Sequence, residues 1–219
     1  NQKASQTDVT PMDITHSKVA CTLGNWVAGE YTDIFDAAEV NFDERRELAQ
    51  TIAGAMGRRA DQLIVDALSA GSTIAHGSTG LTVAKITSAA KTLNDNGVPM
   101  DERILLTSAA GIEDLLNEEK ATSADYATVR ALMSGELNTF MGFNIVMMET
   151  RAEGGLTLAS TTRDCFAFHK SSIGCAIGLD ISTEVNYIPE KTSWLSLGKY
   201  KAGAVTIDTA GIVKVEITE

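Results

Sequence analysis

Three histidines, His16, His76 and His169, are the first residues to weigh for chemistry, because imidazole serves as base, nucleophile or metal ligand near neutral pH. No two of them lie at helical or zinc-finger spacing, so a metal site or a histidine-dependent triad would need distant segments brought together. Cys21, Cys165 and Cys175 are odd in number, far apart and without metal-ligand spacing, and they read as small reduced core residues. The stretch Gly71–Gly80 is rich in Gly, Ser and Thr, as phosphate-binding loops are. It lacks both the Gly-Lys-Ser/Thr ending and the dinucleotide spacing, and reads as a connection between elements. Glu113-Asp114 and Glu118-Glu119 are paired carboxylates of the kind used in acid–base work, here flanking a short predicted helix whose solvated face they suit. Trp26, Trp194 and Tyr200 are rings able to stack on a ligand or to fill a core, and packing is the reading adopted. No catalytic, cofactor-binding or metal site is therefore assigned, no cofactor is expected, and the pattern favours a structural role over an enzyme.

The elements that hold these residues belong to a chain of 219 residues with 44% hydrophobic and 21% charged content, enough apolar material for a real core. Lys plus Arg number 18 against 29 Asp plus Glu, a formal net charge of -11. Such a surface repels phosphate and argues against a general nucleic-acid binder. No apolar run approaches the ~20 residues needed to span a bilayer. The opening Asn1–Pro11 is polar and aperiodic, without a signal peptide, and reads as the start of a processed or partial chain.

Lys18–Leu23 and Asn25–Tyr31 alternate like two strands and predict a hairpin, too thin to stand alone. Residues 42–69 predict one long helix. Asn41 is its expected N-cap with Glu44 completing a capping box, Leu48, Ile52, Met56, Leu63, Ile64, Ala67 and Leu68 form its apolar stripe, and Gly71 is its stop. Gly54 and Gly57 within it suit bending or close packing against another element. Helices are also expected at 82–95, from Ser108 to Leu116, from Ser123 to Leu132, and over Ser171–Ile177. Strands are expected at Arg103–Thr107, at Phe140–Glu149 with an interruption at Gly142, and at Thr157–Ser160 and Arg163–Phe168. Four more follow at Ile181–Val185, Ser193–Leu197, Ala204–Ile207 and Ile212–Ile217. Helices mixed with mostly antiparallel strands give an α+β class.

Several stretches in fixed order resemble one family: Asp43–Ala49, Ala55–Ile64, Ser108–Asn117, Ala121–Leu132, Gly135–Ile145 and Phe166–Gly178. Together they look like the major capsid protein of tailed bacteriophages, the family with the Hong Kong 97-like fold, over most of residues 10–200. Such proteins usually carry an N-terminal arm before the extended loop, and the expectation is that the arm is absent from residues 1–219. The resemblance implies an extended E-loop at 1–38, a P-domain spine helix at 39–71, an A-domain at 72–178 and P-domain return strands at 179–219. It implies self-assembly into pentamers and hexamers of an icosahedral head that encloses DNA without sequence-specific binding. Scaffolding, portal and decoration proteins are the implied further partners. The implied location is the virion, assembled in the host cytoplasm, with no membrane contact. Some relatives crosslink a loop Lys to a neighbour's Asn; Lys3 and Lys18 are available, but no complete constellation is matched and the chemistry is not carried over. An encapsulin-like nanocompartment shell is the alternative within the fold, and a soluble α+β enzyme the alternative outside it. The distal loop, 1–19, is expected to lie on the next subunit and its base, Trp26 to Phe35, on its own P-domain.

Overall fold

The computed structural model describes residue 5, residues 16–118 and residues 139–219. The helix predicted over Ser123–Leu132 lies outside the described residues. Two sheets organise the rest, joined by one long helix.

The smaller sheet has three antiparallel strands in the order β1 (Gly24–Asp33), β9 (Ser193–Thr206), β8 (Ile173–Ile188). Trp26 is opposite Tyr200 and Ala28 opposite Gly198, which sets the register of β1. The expected hairpin of Lys18–Leu23 with Asn25–Tyr31 does not form: residues 16–23 carry no strand, and β1 finds its partner at β9 instead. A long-range partner removes the marginal stability of an isolated ribbon. The predicted helix Ser171–Ile177 is also corrected. Only a single 3-10 turn, Lys170–Ser172, precedes β8. Gly174, Ala176 and Gly178 alternate with Ile173, Cys175 and Ile177, a period of two that suits a strand and a glycine content that weakens a helix. The strands expected at 193–197 and 204–207 are one continuous β9.

The larger sheet has seven strands. Its path runs β2 (Ser72–Ile74), β10 (Ile212–Thr218), β7 (Thr162–His169), β3 (Arg103–Thr107), β5 (Phe143–Met147), β4 (Thr139–Phe140), with β6 (Leu158–Ala159) paired to β7. Residues 165–169 of β7 are all buried, so both faces of this central strand are covered. Met141 and Gly142 both have positive φ, 51° and 84°, and make the two-residue turn between β4 and β5 where a strand interruption is expected. The core of this sheet includes Phe143, Phe166, Val213 and Ile217. Ile86 and Leu93 of α3 (Val83–Asp95) and Leu115 of α4 (Ala109–Asn117) complete it. Thr82 caps α3 through Lys85 N and Ser108 caps α4 through Gly111 N. The sheets do not divide the chain at 178: β8 begins at Ile173, and β10 returns to the larger sheet between β2 and β7.

The long helix, α2 (Glu44–Leu68), starts later than expected. A short helix, α1 (Ile34–Glu39), intervenes, capped by Asp33, whose Oδ1 accepts from Phe35 N at 2.9 Å. Asn41 falls in the connection, Asp43 is the cap position, and Glu44 is the first helical residue, so the capping box is absent. The predicted single stripe is really two faces. Met56, with Ala60 and Leu63, packs on Trp26, Ala28, Tyr200 and Ala202 of the small sheet. Val65 and Leu68, on the other side of the helix at ~100° per residue, enter the core of the large sheet.

Candidate assembly surface

The residues first weighed for chemistry are dispersed, and of the three cysteines expected in a core only Cys165 is buried, Cys21 being half-buried and Cys175 exposed. His16 lies exposed before β1, His76 sits in the turn after β2, and His169 ends β7. His76 Nδ1 accepts from Ser78 N at 3.0 Å, and His169 Nδ1 accepts from Ser171 N at 3.2 Å. Among the described residues no group of three or more His, Cys, Asp or Glu is placed to hold a metal ion. Cys165 is buried, and burial pushes its thiol up to about 11, far from a thiolate at neutral pH. The Gly71–Gly80 stretch holds β2 and a turn, tied down by neighbouring carboxylates. Asp114 Oδ2 accepts from Leu81 N at 3.2 Å and Glu118 Oε2 from Val83 N at 2.6 Å, at the positive end of α3. Glu119 lies outside the described residues.

Trp26, Trp194 and Tyr200 gather on the face of the small sheet that α2 covers. Arg59 stacks over Trp26 at 3.9 Å and Arg45 over Trp194 at 5.0 Å, so two helix cations sit on two sheet rings. Tyr187 tilts against Trp194 at 5.3 Å. Arg59 also pairs with Glu153 at 3.0 Å, and Gly154 N donates to Gln62 Oε1 at 3.0 Å, which fastens the 149–156 segment to the helix. Burial, with Glu149 nearby, raises the Asp61 carboxyl above its ordinary value at this contact. Sequence reading missed the contact because its partners are ~90 residues apart and polar.

The opposite face of the small sheet is uncovered. Strand alternation turns Val27 and Tyr31 away from the helix, and they are 66% and 42% exposed. Leu195 and Leu197 lie across Gly29 on the same face, where an added Cβ would meet them at 3.5 and 3.1 Å. Lys191 sits over the Tyr31 ring at 4.0 Å, and Lys199 pairs with Glu184 at 2.8 Å. Beyond β1, Phe35 is 72% and Phe42 61% exposed, beside a groove of about 530 Å³ between α1 and the start of α2. Among the described residues eighteen large apolar side chains are exposed, and twelve of them fall within 19–42 and 177–187. Scattered singly they would need no explanation; on the uncovered face Val27 and Tyr31 stand together, Phe35 and Phe42 follow beside the groove, and Ile177, Val185 and Tyr187 extend the apolar surface along the other face of β8, so the small sheet is made to be covered beyond what α2 covers.

The family model for phage capsid protein matches residues 1–219, the whole chain. The chain belongs to the phage capsid protein family. This capsid protein is a shell subunit of the virion, and its role is structural. Its fold is Hong Kong 97-like. The capsid of Cyanophage P-SCSP1u matches with TM-score 0.73 and 15% identity over 100% of this chain and 80% of the other. A protein of Mycobacterium phage Che8 matches with TM-score 0.70 and 20% identity over 88% and 70%. The SrpI encapsulin of Synechococcus elongatus PCC 7942 shares the fold more loosely, at TM-score 0.60 and 11% identity over 90% and 74%. No curated protein matches. Among the described residues no helix is long and apolar enough to cross a membrane.

Proposed function

We propose that this capsid protein assembles with copies of itself into pentamers and hexamers that close an icosahedral head around DNA. The observation that carries the reading is the apolar surface on the small sheet and α1, which a lone subunit would leave in water. In this reading the small sheet with α2 is the peripheral unit, residues 1–38 are the E-loop with its base, β1, paired into that sheet, and the large sheet with α3 and α4 is the axial unit. The return of β10 gives the axial unit a strand from the end of the sequence. The two-faced spine helix lets the units share one rigid element. A net charge of -11 lets enclosed DNA slide instead of sticking. No reaction is part of this function, and no catalytic, cofactor or metal site is assigned. Scaffolding, portal and decoration proteins are the partners proposed beyond self-contacts.

Negative-stain microscopy and sedimentation of the purified protein, with scaffolding supplied, test this. Capsomers or closed shells are expected. A monodisperse monomer at high concentration would refute the proposal. Amides of residues 16–20, exposed and unpaired in the subunit, should gain hydrogen-exchange protection only on assembly.

A further inference from the structure

The side chain of Arg59 stands where three parts of the subunit meet. It belongs to α2, its guanidinium lies over the Trp26 ring of β1 at 3.9 Å, and its Nη1 donates to Glu153 Oε1 at 3.0 Å. Trp26 is part of the small sheet, opposite Tyr200. Glu153 belongs to a strap, residues 149–156, that leaves the large sheet after β5 and rejoins it at β6. The strap presses directly on the helix: Gly154 has a φ of 77°, and its N–H donates to Gln62 Oε1 at 3.0 Å. Leu156, 1% exposed, anchors the strap in the core of the large sheet. Among the described residues no hydrogen bond or ion pair runs directly from β1 to the strap; both attach to Arg59.

The position of this guanidinium carries a cost. Its Nε is shielded from solvent and has no hydrogen-bond partner. A shielded N–H without an acceptor is unfavourable, and turning the guanidinium out to water would remove that penalty. Two partners together hold it in place, the ring by cation–π attraction and the carboxylate by a charge-assisted hydrogen bond. Losing either one tips the side chain toward the released position, and the other contact is lost with it. We propose that Arg59 couples β1 to the strap, so that displacement of Trp26 loosens residues 149–156 and loss of the Glu153 bond loosens β1. Such a coupling acts equally in both directions. Its meaning rests on the assembly reading, in which β1 is the base of the E-loop and the strap hangs from the axial unit: through Arg59, a shift at the loop base reaches the axial unit of the same subunit. The coupling itself is a property of one subunit and is tested there.

Hydrogen exchange in unassembled full-chain subunits reads both sides. Trp26→Leu should speed exchange of the Gly154 and Leu156 amides about three- to tenfold, the range a partly buried cation–π contact supports, with the β10 amides of Val213 and Val215 as the internal reference. In an Arg59→Met background the same change should add nothing further. Glu153→Gln, made on a side chain that is 53% exposed and outside both cores, should speed the β1 amides bonded to β9 about two- to fivefold. Unchanged strap exchange in Trp26→Leu, the same acceleration in the Arg59→Met background, or equal acceleration at Val213 and Val215 would each overturn the coupling. If Trp26→Leu fails to fold, Glu153→Gln decides alone, and unchanged β1 exchange overturns it. Subunits that show the coupling but form no particles would uphold it and refute the assembly reading instead.

Discussion

Replacing Gly198 by alanine should force α2 away from the sheet beneath it. Gly198 lies in β9 under the helix, and an added Cβ would stand 2.5 Å from Ile52 Cγ2 and 3.3 Å from Met56 Cγ. Carbon atoms in contact prefer about 3.5–4.0 Å, so the new methyl overlaps Ile52 by about 1 Å. Ile52 is 6% and Met56 4% exposed, which leaves neither side chain an easy way out. Overpacking of this kind costs about 1–3 kcal/mol. Loss of glycine's unfolded-state freedom works the other way by about 0.4–1 kcal/mol. The steric effect is larger, and Gly198→Ala should destabilise the subunit by about 0.5–2 kcal/mol. Ile52→Ala alone should cost about 2–5 kcal/mol through the cavity it leaves. In the double variant the new methyl occupies part of that space, so its cost should fall below the sum of the singles by about 1–2 kcal/mol. Urea unfolding of dissociated subunits, followed by circular dichroism, gives all four corners of this cycle. Additive costs, or a Gly198→Ala subunit more stable than wild type, would refute the close approach of helix and sheet.

Four other substitutions test three separate parts of the structure. Leu63→Asp buries a carboxylate against Met56, Tyr200 and Ala202 and should abolish folding, whereas Arg58→Ala should leave the melting temperature within a few degrees of wild type; soluble yield and thermal melting measure both. Lys85→Met removes an ammonium that donates to Thr79 O at 2.7 Å, Gly80 O at 2.8 Å and Glu216 O at 3.1 Å, and unfolding should show a loss of about 2–4 kcal/mol from the stranded carbonyls. Burial alone would raise the Glu219 carboxyl, but donation from Arg163, at 2.6 Å, and from Ser108 outweighs it and holds the group below its ordinary value. A carboxylate depressed in the folded state stabilises above its unfolded value, about 4.3, and loses that contribution as pH falls through the folded value. Subunit stability should therefore drop below about pH 4, and Glu219→Gln should flatten part of that slope in a pH series of unfolding curves.

What the order of residues determined by itself was mostly local. Ser108 announced its helix because capping acts over three residues, and the helix expected from Thr82 begins one residue later with Thr82 as its cap. The alternation of Ile212, Lys214 and Glu216 with Val213, Val215 and Ile217 was legible as a strand, and the ordered segments from Asp43 to Gly178 carried the family. Tertiary structure decided the rest. The small residues that allow close approach to α2 are not the helix's own: Gly57 has open space beyond it, and Gly54 meets only the end of Arg58. The approach is made by Gly198 of β9 and by Gly154, where an added Cβ would stand 2.6 Å from Arg58 Cβ. Both are distant in sequence, and a glycine's role depends on what faces it. Likewise Leu63 and Leu68 read as one stripe, yet they serve two different sheets, since periodicity reports that a face is apolar but not which element covers it. Residues 18–23 have a strand's composition and no strand: β1 pairs with β9 along one edge, and its other edge takes no strand among the described residues, so composition alone did not decide pairing.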